Sequence, residues 1–146
     1  MITGPSTSSR RSCGAWMTDS GSMSAVAVAR DRLVFGAVAA ASVVVLFVPT
    51  APGVPPFPYA DKVIHLLLFT ALAWTACRAG LGVRACVLGL VAYAALSELV
   101  QAILLPSRSG SWLDLAADVL GVGLGIALNI VLDRAVSRAG RHTMGP

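Results

Sequence analysis

Four apolar stretches, poor in charge and close to membrane-span length, decide what this sequence can fold into. They run from Leu33 to Val48, from about Val63 to Cys77, from Ala85 to Leu105 and from about Trp112 to Leu132. A membrane span takes roughly 20 mostly apolar residues, with a range of about 17–25. The last two stretches satisfy this outright. The first two reach it when flanking residues join the helix and charged ends snorkel to the interface. Of the 146 residues, 56% are hydrophobic and 12% charged. Soluble domains carry about 25% charged residues, and one of this length hides only about two-thirds of its surface. The composition argues against a soluble enzyme and, beyond the first two dozen residues, against disorder.

The expected fold is therefore all-α: a four-span transmembrane helical bundle over residues 25–135. A disordered, Ser-, Thr- and Gly-rich tail precedes it over residues 1–24, and a basic tail follows over 136–146. Between the first two spans lies VPTAPGVPPFPYA, whose five prolines exclude a helix interior and make it an interfacial connector. Phe57 and Tyr59 are its headgroup anchors. The first span is read as uncleaved, because the segment after it offers no clean A-x-A signal-peptidase site. Cys13, Cys77 and Cys86 are an odd number without CxxC spacing, so neither a disulfide framework nor a zinc site is indicated. The net charge of +4 comes from scattered arginines without interleaved aromatics, which is not the pattern of a nucleic-acid surface.

Basic residues are distributed unevenly. Arg10, Arg11, Arg30, Arg32, Arg78, Arg84, Arg134, Arg138 and Arg141 fall on one side of a four-span arrangement, and only Lys62 and Arg108 on the other. The positive-inside rule then places both termini on the cytoplasmic side.

The polar residues converge on the opposite side. Asp61, Lys62 and His65 begin span two, and Glu98 and Gln101 lie near the end of span three. Arg108 sits in the following loop, and Asp114 and Asp118 enter span four. At a rise of about 1.5 Å per residue, Glu98 lies about 10 Å below Leu105 and Asp118 about 9 Å below Trp112. Three chain-distant segments thus carry ionisable groups at one depth, where an isolated carboxylate costs about 2.5–3.5 kcal/mol to insert. Asp61 with His65, Glu98 with Gln101, and Asp114 with Asp118 are spaced to share a helix face. Gly121 and Gly125 form a GxxxG that admits a close helix, either within the chain or from a second copy in a homo-oligomer, and Gly123 thickens the small-residue patch. The carboxylates and the lone histidine lack HxxxH or HxxE spacing, so the pattern points to no metal and no other cofactor. A purely structural ion-pair cluster is the competing account of the whole set.

The run Asp61-Lys62-Val63-Ile64-His65, then Glu98-Leu99-Val100-Gln101, then Pro106-Ser107-Arg108, then Asp114, Asp118, Gly121 and Gly125 resembles the signature of the VanZ-like membrane proteins. The resemblance covers residues 61–132, with Asp118 standing where that pattern often has Asn. It implies a cell-envelope membrane protein. The family's namesake is associated with low-level resistance to the lipoglycopeptide teicoplanin, and the resemblance supplies no reaction.

The leading expectation is a binding or modulating protein for a lipid-linked envelope precursor or a lipoglycopeptide antibiotic. Lys62 and Arg108 would grip phosphate or carboxylate. Glu98, Asp114 and Asp118 would orient those cations or engage an amine, and His65 and Gln101 would supply hydrogen bonds. The alternatives are an enzyme using His65 with Glu98 or Asp118 on a lipid or polyprenyl phosphate, and a structural partner in an envelope complex.

Overall fold

The computed structural model describes residues 17–47, 59–104 and 111–142. Within them the chain forms four α-helices: α1 (Met17–Phe47), α2 (Ala60–Arg78), α3 (Val83–Leu104) and α4 (Trp112–His142). The all-helical expectation holds. Three helical segments, Ala60–Arg78, Val83–Leu104 and Trp112–Val136, are long and apolar enough to cross a membrane. The fourth expected span, α1, is not among them. Its apolar run covers only 33–47 in the described part and directly follows Arg30, Asp31 and Arg32.

Both helix ends flanking the bundle run further than the sequence reading placed them. α1 starts at Met17, so residues 17–24 of the expected disordered tail are helical. Residues 1–16 lie outside the described residues. α4 continues to His142, through most of the segment read as a separate tail, because nothing between Leu132 and His142 is a strong breaker except Gly140.

Local chemistry sets the other boundaries. α2 ends at Arg78, and Gly80 follows with φ 92°, a left-handed conformation that suits glycine. The Leu81 N–H donates to the Ala76 carbonyl at 3.1 Å and the Gly80 N–H to the Cys77 carbonyl at 3.0 Å, a Schellman closure. α4 begins after Ser111, whose hydroxyl accepts the Leu113 N–H at 3.2 Å as an N-cap.

The bundle buries a polar cluster and leaves many of its large apolar side chains outside. Leu67, Leu88, Leu96, Ile103, Leu120 and Leu124 are among many large apolar side chains that remain exposed, whereas His65, Glu98, Gln101, Asp114 and Asp118 are buried. A water-soluble helical protein arranges these the other way round, and lipid-facing apolar side chains account for the inversion. A small core of Leu46, Phe69, Leu72, Ala73, Leu90, Ala94, Val122 and Ile126 lies at the centre.

α2 and α4 run parallel and form the closest seam. A Cβ on Gly121 would lie 2.5 Å from the Leu66 carbonyl oxygen and 3.0 Å from Phe69 Cβ. A Cβ on Gly125 would collide with the Thr70 carbonyl oxygen and lie 2.8 Å from Ala73 Cβ. The GxxxG face is thus filled by α2 of the same chain, and the two glycines do not offer it to a second copy. Gly123 is exposed with nothing within 4 Å of its would-be Cβ, so it takes no part in the seam.

This geometry predicts opposite outcomes for neighbouring glycines. Gly125→Leu should destabilise the detergent-solubilised protein by at least about 2 kcal/mol, because the clash is with backbone that has no rotamer to move. Gly123→Ala should be neutral or stabilise by up to about 1 kcal/mol through helix propensity. Reversible SDS unfolding followed by circular dichroism measures both.

Candidate functional site

The seam continues, toward the N-terminal ends of α2 and α4, into two polar layers. In the outer layer Lys62 Nζ donates to Asp61 Oδ2 at 2.9 Å and to Asp114 Oδ1 at 3.0 Å. Asp114 is buried, Lys62 is partly covered, and the Asp61 side chain is 57% exposed. Asp61 therefore does not join His65 on the buried face, although the two are four residues apart. Lys62 draws it outward instead.

One turn deeper, His65 Nδ1 lies 2.9 Å from Asp118 Oδ1 and 3.8 Å from Glu98 Oε1. These groups come from α2, α4 and α3, respectively. Asp118 is completely buried, and His65 and Glu98 retain 5% and 9% of their accessible surface. Lys62, His65, Glu98, Asp114 and Asp118, expected at one depth, come together from three chain-distant segments in two layers about one helical turn apart. Arg108 lies outside the described residues.

Glu98 has two duties, one on each oxygen. Its Oε2 accepts the backbone N–H of Ser111 at 2.8 Å, the residue that caps α4. A carboxylate there satisfies a donor that the helix itself leaves unpaired and sits at the positive end of the α4 dipole. Its Oε1 is buried without a hydrogen-bond partner, as is Asp118 Oδ2. Gln101 goes elsewhere: its Nε2 donates to the Leu46 carbonyl oxygen at 3.0 Å, satisfying a carbonyl in the last turn of α1. It ties α1 to α3 and is not part of the ionisable cluster.

Charge within this region is lopsided. Asp61, Asp114, Glu98 and Asp118 face one lysine and one histidine, and that lysine already holds two carboxylates. The expectation that Lys62 offers an open cation to a phosphate is therefore corrected. Among the described residues the region has surplus acceptors, which suit an amine or another cation.

Sequence reasoning missed features at the other end of the molecule. A cavity of about 290 Å³ lies between α1 and the C-terminal end of α2, lined by Arg30, Asp31, Val34, Trp74, Thr75 and Arg78. Asp31 pairs with Arg30 at 3.2 Å and with Arg78 at 3.6 Å, and the Arg78 guanidinium lies 5.9 Å from the Trp74 ring centroid. The only sequence signal was the ArgAspArg run at the start of an apolar stretch. Ser42 Oγ and Tyr93 OH, 3.0 Å apart, likewise join α1 to α3 without any spacing that announced it.

No protein-family model, curated protein or solved structure matches the chain.

The His65–Asp118 contact should be strongly coupled. Replacing either residue by Leu leaves the other buried without its main polar partner, whereas replacing both removes the stranded group. A double-mutant cycle measured by SDS unfolding should return an interaction of about 1–3 kcal/mol.

Proposed function

We propose that this chain is a small four-span protein of a bacterial inner membrane that binds or modulates an amphiphilic envelope ligand through the polar end of α2, α3 and α4. The observation that carries the proposal is the stack of two buried polar layers, Lys62–Asp114 over His65–Asp118–Glu98, at one end of otherwise apolar helices. Ionisable groups inside spans are costly and are retained where a ligand, ion or proton uses them. The acidic excess favours a ligand that brings an amine, while its hydrophobic part lies along the exposed leucines of the helices. A lipid-linked precursor or a lipoglycopeptide fits that description, and the residues that resemble the VanZ-like signature include both layers.

Two contacts support α1 as the fourth span. Asp31, just before the apolar run of α1, meets Arg78 at the end of α2, and the Leu46 carbonyl near the C-terminus of α1 meets Gln101 of α3. Between them the 15-residue interval covers about 22 Å of helix, some three-quarters of the roughly 30 Å hydrocarbon core, and the flanking Arg30 and Arg32 would snorkel across the remainder. The distribution of arginines then favours cytoplasmic termini and a polar end at the outer leaflet. A single cysteine introduced at Trp112 should react with a membrane-impermeant maleimide in intact cells. Reaction only after permeabilisation would reverse the orientation.

A second reading, a membrane enzyme acting on a lipid or polyprenyl phosphate, draws on one observation. The 2.9 Å contact from Asp118 fixes the His65 ring as a carboxylate fixes a general base. Turnover of a lipid phosphate by the purified protein, abolished in Asp118→Asn, would favour it over binding.

For the binding reading, expression of the wild type should raise lipoglycopeptide tolerance in a susceptible host. Arg108→Lys and Glu98→Gln should each abolish the gain while membrane levels stay unchanged, since the first loses a bidentate fork and the second a charge at nearly constant shape. If both variants protect as well as the wild type, the polar layers serve packing alone.

A further inference from the structure

We propose that His65, Glu98 and Asp118 form a binding site for a divalent first-row transition metal, of the Zn²⁺ or Mn²⁺ type. One ligand atom from each lies within 4.8 Å of the other two. Two of the separations, 2.9 Å from His65 Nδ1 to Asp118 Oδ1 and 3.8 Å from His65 Nδ1 to Glu98 Oε1, bracket what a metal needs. Ligand bonds of about 2.0–2.1 Å place tetrahedral donors roughly 3.3 Å apart, so the two pairs that include His65 need to change by only about half an ångström, and the Glu98–Asp118 pair closes by at most about 1.5 Å.

A second observation independently points to a cation. Glu98 Oε1 and Asp118 Oδ2 are buried oxygens without hydrogen-bond partners, the second on a side chain that is completely buried. Bare carboxylate oxygens in a low-dielectric interior are expensive, and one dication neutralises both carboxylates at once. The donor set selects the metal class. An imidazole nitrogen suits Zn²⁺, Fe²⁺ or Ni²⁺ and carboxylates suit Mg²⁺ or Mn²⁺, so one nitrogen with two carboxylates favours a borderline ion over Mg²⁺ or Ca²⁺. His65 would bind as the neutral ring, and any proton on Nδ1 would pass to solvent as the metal–nitrogen bond forms. Glu98 is already oriented by the Ser111 N–H on its other oxygen, the kind of outer contact that fixes a metal ligand.

The site joins three helices, so occupancy has a structural readout separate from any envelope ligand. Protein purified in detergent after chelator treatment should take up about one Zn²⁺ or Mn²⁺ per chain on dialysis, measured by elemental analysis, and the midpoint of thermal unfolding should rise as it does so. Mg²⁺ at equal concentration should do neither. His65→Ala and Asp118→Asn should each weaken uptake by at least about 100-fold. Asp118→Asn preserves shape, so helicity equal to wild type by circular dichroism separates lost binding from lost fold. Co²⁺ in the wild type should give the visible absorption of a four- or five-coordinate site, and the band should vanish in Asp118→Asn. Wild type that takes up no metal and shows no shift overturns the proposal, even if lipoglycopeptide tolerance still depends on Glu98. Uptake that survives in both variants overturns it as well.

Discussion

The ion-paired end of this bundle depends on how closely α4 lies against α2. The approach is set at Gly121 and Gly125, where the absence of side chains lets one helix touch the backbone of the other. Because the helices run parallel, the residues preceding the glycines are carried into the same close register. Asp118 meets His65 and Asp114 meets Lys62, pairs separated along the chain by 53 and 52 residues. One nearly constant offset thus generates a steric seam at the centre and an ion-paired seam at the end. A wider separation between the helices would keep the core greasy but would leave two carboxylates without near neighbours.

The third wall of the site is held differently. α3 packs less closely on α4 and is fastened at its end by a carboxylate bonded to a backbone N–H. Glu98 thereby links the cap of one helix to the ionisable layer of the bundle, and this explains why a residue so costly to bury sits there. α1 is attached by polar contacts from its middle to its C-terminal end, Asp31 with Arg78 and Leu46 with Gln101, with Ser42 and Tyr93 between them. Small residues and hydrogen bonds do the joining here, as expected where the surroundings are as apolar as the side chains.

Part of this was legible in the sequence because apolar length and the position of charges along it are one-dimensional properties. The helical class, the two full-length spans and the gathering of His65, Glu98, Asp114 and Asp118 at one end follow from spacing alone, whereas the choice between α1 and α2 as the better span does not. Partner choice does not. The four-residue spacing that aligned Asp61 with His65 is a rule about helix faces, and Lys62 overrode it by holding Asp61 at the surface. Gln101 shares a face with Glu98, yet it serves a carbonyl on α1 that no pattern could have named. The Ser111 N–H is invisible to side-chain motifs because every residue but proline has one. The cluster of His65, Glu98 and Asp118 has no one-helix spacing for a related reason: each of its groups comes from a different helix.

The parallel seam also has a consequence for biogenesis. α2 is the least apolar of the three best spans, and it carries Lys62 and His65. Its compensating partners are on α4, which emerges from the ribosome only after α3 and the loop beyond it. During synthesis α2 therefore enters the insertion machinery with its polar face uncovered and its glycine-matched groove unfilled. The finished bundle conceals this interval, but the order of its helices makes the second span the one whose commitment to the bilayer is decided last.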